Sequence, residues 1–179
     1  MRWESSPYRH AIGTGFFEES FYQDMLKSLP PFEEYKQYNE QYKNRYLYLG
    51  KNGRPAKGIW AEVWKILENP WHGNAVVQLC RDKPGYYIGP HTDKPTKKKT
   101  FLFYLTDKEV EGAGTSVFVP EEKVSASGWT HHDFNGFREV KRAPYVPNGY
   151  FAFERSDESF HGVFPCSITR NLIQLSVYG

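Results

Sequence analysis

The chain is poor in cysteine, in net charge and in long apolar runs, and each shortage removes a class of function. Two cysteines occur in 179 residues, Cys80 and Cys166, each solitary in an apolar, strand-like segment. No Cys-x-x-Cys pair is present to hold zinc, and two buried free thiols are expected in place of a disulfide. The formal net charge is +2, and Lys97-Lys98-Lys99 is the one dense basic run. Neither a nucleic-acid stripe nor a polybasic membrane face is indicated, and the run reads as a solvated approach to a strand. No apolar run approaches the roughly 20 residues of a membrane-spanning helix. Met1-Arg2-Trp3-Glu4-Ser5 opens without the apolar core of a secretion signal. A cytoplasmic protein with no nucleic-acid and no membrane partner is the expectation; its oligomeric state is open.

Aromatic residues are abundant instead, at 17% of the chain with 13 Tyr, 13 Phe and 5 Trp, which favours strands. A chain of 179 residues suits one domain with a core that needs no staples. After a short opening strand at 10–12, the segment 18–29 repeats Phe21, Tyr22, Met25 and Leu29 at helical spacing, and Pro30-Pro31 stops it. Residues 33–48 are polar and carry Tyr35, Tyr38, Tyr42, Tyr46 and Tyr48; helix and lid both fit. A loop at 50–55 leads to a helix over 57–68, with Ile59, Trp60, Val63, Trp64 and Leu67 as its stripe before Pro70.

From residue 74 the apolar period shortens to two. Strands are predicted at 75–81, 86–91, 99–106, 115–119, 138–142, 150–154, 160–164 and 169–178, with Gly, Pro, Asn or Asp in the separators. The whole is expected to be mainly β with N-terminal helices. A double-stranded β-helix, or jelly roll, of eight core strands in two four-stranded sheets would occupy 74–179, with 1–73 as helical buttress and lid of the same domain. The second strand of such a roll pairs with the seventh.

The chain is organised around Tyr86-Tyr87-Ile88-Gly89-Pro90-His91-Thr92-Asp93. Residues i and i+2 of an extended segment point the same way, so His91 and Asp93 can converge on one point. His161, at the start of the seventh strand, would complete a two-His-one-carboxylate face of the kind that binds non-haem Fe(II) and leaves coordination positions open. His-x-Asp alone is a weak signal, and His131-His132-Asp133 is a second copy. That copy sits in a polar loop and reads as lid, not ligand. His10 and His72 have no partner at ligand spacing and read as ordinary surface or hydrogen-bonded residues. Arg170 lies in an otherwise largely apolar run, where its charge needs an anion. A carboxylate would suit its two-pronged donor; a structural ion pair with a buried Asp or Glu is the alternative.

In these residues the chain resembles the Fe(II)- and 2-oxoglutarate-dependent oxygenases, in particular the prolyl-hydroxylase-like group. The resemblance rests on His91-Thr92-Asp93, His161 and Arg170 in order, on Phe103-Tyr104-Leu105-Thr106 and on Glu111-Gly112-Ala113-Gly114-Thr115. It covers about residues 74–179 and implies His91, Asp93 and His161 as iron ligands. It further implies Arg170 and Tyr104 on the distal carboxylate of 2-oxoglutarate. A further co-substrate contact would come from a tyrosine ahead of His91, Tyr86 or Tyr87, with Tyr87 taken as the candidate. Asp at position 93 disfavours the halogenase variant. The cofactors implied are Fe(II), with 2-oxoglutarate and O2 as co-substrates and ascorbate as an optional reductant. Hydroxylation of a small molecule or of an amino-acid or peptide side chain is the implied outcome; desaturation and demethylation stay open. Two readings compete: a cupin-like metal enzyme that does not use 2-oxoglutarate, and a jelly-roll binding module. Substrate walls are expected from residues 46–54, from Trp60 and Trp64, and from loop 123–137 with Trp129, His131 and His132. For Trp60 and Trp64, which share a helix face, core packing is the first reading. Arg54 and Arg155 are candidates for a substrate carboxylate.

Overall fold

The computed structural model describes residues 1–38, 44–48, 58–126 and 130–179. Tyr42, the 50–55 loop with Arg54, Lys57 and Trp129 lie outside the described residues. In chain order the elements are β1 (His10–Thr14), α1 (Glu19–Lys27), β2 (Tyr35–Gln37), β3 (Arg45–Tyr48), α2 (Gly58–Glu68) and β4 (Ala75–Asp82). There follow β5 (Ile88–His91), β6 (Lys97–Leu105), β7 (Ser116–Pro120), β8 (Phe137–Arg142), β9 (Gly149–Glu154), β10 (His161–Val163) and β11 (Arg170–Tyr178). All eight strands expected after residue 74 are present. No helix among the described residues is long and apolar enough to cross a membrane.

Every named strand pair is antiparallel. The larger sheet runs β1-β9-β6-β11-β4-β3-β2 and the smaller β5-β10-β7-β8. The architecture is a jelly roll, and its second and seventh core strands, β5 and β10, pair with His91 opposite His161. Among the described residues the larger sheet has seven strands where four were expected. Its four central strands are the core ones; β1 extends one edge, and β3 with β2 extends the other. The tyrosine-rich segment left open between helix and lid is therefore partly sheet. Tyrosine is a good strand former, and β3 docks on β4 with Arg45 opposite Asp82 and Leu47 opposite Cys80.

Alternation then divides the large sheet into two faces. On β6, Phe101, Phe103 and Leu105 join the core under the helices, while Leu102 and Tyr104 join the core between the sheets. Helix α1 begins where the Glu18 carboxylate accepts the Phe21 N–H at 3.1 Å, filling one of the amide positions a helix start leaves open. It buries Tyr22 and Met25. Helix α2 buries Trp60, Val63, Trp64 and Leu67, a stripe at i, i+3, i+4 and i+7. Each such side chain contributes about 1.5–3 kcal/mol on burial, so this face anchors the sheet that carries the site.

Candidate active site

Short strands of the small sheet set the first cluster. His91 ends β5 and His161 begins β10, with their rings 4.3 Å apart between centroids. Asp93 lies two residues beyond His91, and one ligand atom from each of the three residues falls within 4.8 Å of the others. All three residues are buried. The backbone is tight here: a Cβ on Gly89 would meet the His132 carbonyl oxygen at 2.1 Å, and one on Gly162 would meet that of Ile88 at 2.7 Å. Glycine at both places lets the strands and the following loop close around the histidines.

The donor chemistry follows from the hydrogen bonds. His91 Nδ1 lies 2.9 Å from the Gly89 carbonyl and His161 Nδ1 lies 3.0 Å from the Ser159 carbonyl. A carbonyl only accepts, so each Nδ1 carries the proton and each Nε2 keeps its lone pair. Burial pushes the pKa of both imidazoles down, that of His91 further through the neighbouring His161. Burial disfavours the charged Asp93 carboxylate, but Lys97 and the two histidines outweigh it and hold its pKa well below the usual range. Thr100 donates to Asp93 Oδ2 at 2.6 Å, Lys97 Nζ to Oδ1 at 3.0 Å, and Arg155 Nε to the Asp93 carbonyl at 3.1 Å. Two neutral imidazoles and one ionised carboxylate form a donor set that fits Fe(II).

The same cavity, about 110 Å³, reaches from this cluster to Arg170. Arg170 is 1% exposed, and its Nη1 donates to Asp82 Oδ2 at 3.1 Å. Its Nε and Nη2 have no hydrogen-bond partner among the described residues. The structural ion pair considered from sequence thus exists and leaves most of the guanidinium unused. Thr115 also lines the cavity, with its buried Oγ1 unpartnered. An anion with two acceptor oxygens fits this wall.

Other expected site residues fall elsewhere. Tyr87 is 60% exposed and is not among the residues that line the cavity; its neighbour Tyr86 is buried and lines it. Successive residues of an extended segment face opposite ways, so the candidate shifts by one position. Tyr104 is fully buried behind the wall, against the Tyr145 ring, with its hydroxyl accepting the Thr115 N–H at 3.1 Å. Trp60 and Trp64 are core, and Trp60 Nε1 donates to the Ser28 carbonyl at 2.6 Å. Arg155 is engaged by Asp93 and by Asp157 at 2.7 Å. His10, expected at the surface or hydrogen-bonded, is buried with Nδ1 against the Tyr8 carbonyl at 2.8 Å. The His131-His132 copy folds back onto the first: the His132 N–H donates to the Pro90 carbonyl at 2.9 Å, and the His131 ring lies 4.7 Å from that of His91. It stays outside the three-residue cluster.

Sequence reasoning missed Arg45, Asp82, Thr100, Thr115, Gln78 and Gln174. Polar residues at alternate positions of strands otherwise apolar, such as Gln78 and Asp82 on β4, were the available signal.

No protein-family model matches the sequence, and no curated protein matches it. Solved structures do. A prolyl-4-hydroxylase from Pseudomonas putida superposes with TM-score 0.65 at 12% identity, over 94% of this chain and 91% of that one. A Trichoplax adhaerens prolyl hydroxylase, solved with a peptide fragment of the hypoxia-inducible factor oxygen degradation domain, gives 0.64 at 13%, over 94% and 83%. The viral collagen prolyl hydroxylase of Paramecium bursaria Chlorella virus-1, solved with 2-oxoglutarate, gives 0.52 at 14%, over 94% of each chain. The fold is that of the prolyl hydroxylases. Within this prolyl-hydroxylase fold, His91, His161 and Arg170 stand on paired core strands, β5 with β10 and β11 with β4, and Asp93 follows just past the end of β5.

Proposed function

We propose that the chain is an Fe(II)- and 2-oxoglutarate-dependent dioxygenase that hydroxylates a C–H bond of a small molecule or of an amino-acid or peptide side chain. One observation carries this reading. The cavity that holds three convergent metal donors also holds a buried arginine with two donor nitrogens unpartnered among the described residues. A binding module has no need of that pairing, and a cupin-like enzyme without 2-oxoglutarate leaves Arg170 unexplained.

In this reading His91, Asp93 and His161 hold the metal through two Nε2 atoms and a carboxylate oxygen. Bound Fe(II) would supply O2 activation coupled to decarboxylation of 2-oxoglutarate to succinate and CO2, with the second oxygen atom passing to the substrate. Carbonyl contacts at Nδ1 fix both imidazole tautomers. Thr100 orients the Asp93 carboxylate through Oδ2, and Lys97 holds its charge from Oδ1. Arg170, with Thr115, binds the distal carboxylate of 2-oxoglutarate. The apolar and aromatic walls, Leu47, Tyr86 and Leu172 among them, exclude water from the reacting groups. Buried free thiols at Cys80 and Cys166 support a cytoplasmic setting; burial pushes the Cys80 pKa up to about 12.

Because its fold is shared with prolyl hydroxylases, proline and proline-containing peptides come first in a substrate panel. The test is succinate release with Fe(II), 2-oxoglutarate and O2 across that panel and a set of free amino acids, followed by mass spectrometry. A substrate-dependent rise in succinate with a product one oxygen atom heavier is expected, and His161→Ala should abolish both. Succinate formation by the wild type no faster than by His161→Ala on every member contradicts the proposal.

A further inference from the structure

Asp82 and two arginines form a buried unit that the proposed chemistry uses only in part. Strand register puts Arg45 of β3 and Arg170 of β11 both opposite Asp82 of β4, so one rung across three neighbouring strands reads Arg–Asp–Arg. Arg45 takes both carboxylate oxygens, Nε to Oδ1 at 2.7 Å and Nη2 to Oδ2 at 2.9 Å. Its Nη1 donates to Gln174 Oε1 at 3.3 Å, and its guanidinium lies over the Tyr86 ring. Arg170 makes a single hydrogen bond among the described residues, Nη1 donating to Asp82 Oδ2 at 3.1 Å, and its guanidinium lies over the Tyr145 ring at 5.7 Å. Its unpartnered Nε and Nη2 form the side edge of the guanidinium, the pair that grips a carboxylate with two parallel bonds. The rung holds two positive charges against one negative, and buried excess charge calls for a counter-ion.

We propose that Arg45 is a positioning residue that keeps Arg170 available. By occupying both oxygens of Asp82, it prevents that carboxylate from closing on Arg170 and neutralising it. The free edge of Arg170 is thereby held for the distal carboxylate of a five-carbon 2-oxo dicarboxylic acid. The inference rests on the 2-oxoglutarate reading above and adds a source of selectivity to it: Asp82, left to Arg170 alone, would complete an ion pair and make the rung neutral.

Ligand binding reads this without turnover. Mn(II)-loaded protein is titrated calorimetrically with 2-oxoglutarate and with 2-oxopentanoate, which has the same chain length and a methyl in place of the distal carboxylate. Wild type is expected to prefer 2-oxoglutarate by about 100-fold or more, the size of a buried charge-assisted pair. Arg45→Met should cut that preference at least tenfold by weakening 2-oxoglutarate alone. Arg45→Met/Asp82→Asn should return it to within threefold of wild type, because the amide cannot neutralise Arg170. A merely structural arginine would weaken both ligands and gain nothing from the second substitution. The inference is overturned by a preference in Arg45→Met within twofold of wild type, or by a double variant no better than the single one. If Arg45→Met does not fold, Arg45→Lys with and without Asp82→Asn repeats the pair, with a smaller loss and the same recovery required. A wild type that binds neither ligand, or does not distinguish them, removes the 2-oxoglutarate reading and this inference with it. Arg45→Met matching a discriminating wild type removes the inference alone.

Discussion

The two faces of the seven-stranded sheet bury different chemistry on the same strands. On β11, Ile173, Leu175 and Val177 pack under the helices, while Arg170, Leu172 and Gln174 line the cavity. On β4, Val77 and Leu79 face the helices, and Gln78 lines the cavity opposite Gln174. One face carries stability through apolar contact. The other holds charges whose partners within the chain are incomplete. Substitutions on the two faces should therefore separate cleanly in what they change.

The largest effect is expected on the helix side. Phe103, 2% exposed and packed against Phe16 and Phe17, should cost about 3–5 kcal/mol of unfolding free energy as Phe103→Ala. Urea denaturation reads the loss, and Mn(II) affinity of the folded protein should stay within about threefold. A loss below about 1 kcal/mol would blur the division of labour. On the cavity side the pattern inverts. His161→Ala should weaken Mn(II) binding at least 100-fold, about 2.7 kcal/mol, while shifting the urea midpoint much less than Phe103→Ala does. Metal binding that survives in His161→Ala would remove this histidine from the donor set.

Acid sharpens the comparison further, because the buried imidazoles with depressed pKa values lie on the cavity side. The buried imidazoles of His91 and His161 have pKa values below that of the unfolded chain. As pH falls below about 6.5 the unfolded chain takes up protons that the fold does not, so stability falls. The slope is up to about 1.4 kcal/mol per pH unit for each histidine until its folded pKa is reached. Asp93, also depressed, adds loss of the same sign below about pH 4. Urea curves of metal-free protein at pH 7.5, 6.5 and 5.5 measure it, and His91→Asn/His161→Asn should flatten the profile. Stability that rises on acidification over this range would contradict the assignment. The smallest effect belongs to Tyr87→Ala, at a side chain 60% exposed. It should change stability by less than about 0.5 kcal/mol and leave Mn(II) and 2-oxoglutarate affinities within twofold. A tenfold loss of 2-oxoglutarate would restore Tyr87 to the site.

Much of this was legible from period and punctuation. Alternation after residue 74 marked all eight core strands, and the 3.6-residue stripes of α1 and α2 stood out between prolines. The second-with-seventh pairing of a jelly roll is enough to place His91 beside His161. The misses have physical causes. Residues 35–37 and 45–48 are short strands toward one edge of the sheet, whose conformation comes from pairing with β4 and with each other, not from a strong local pattern. Tyr86 and Tyr87 differ only in phase, and a one-residue step inverts the face. Arg45 and Asp82 lie 37 positions apart and meet only through register, which a single sequence does not encode locally.

The central claim is that one cavity binds a metal at His91, Asp93 and His161 and the co-substrate's far carboxylate at Arg170. Anaerobic calorimetric titration of 2-oxoglutarate into the Fe(II)-loaded wild type and Arg170→Met tests it most directly. Binding that requires the metal and weakens about 100-fold in Arg170→Met is the predicted result. Folded, metal-loaded wild type that takes up no 2-oxoglutarate, or equal affinity in the variant, would contradict it.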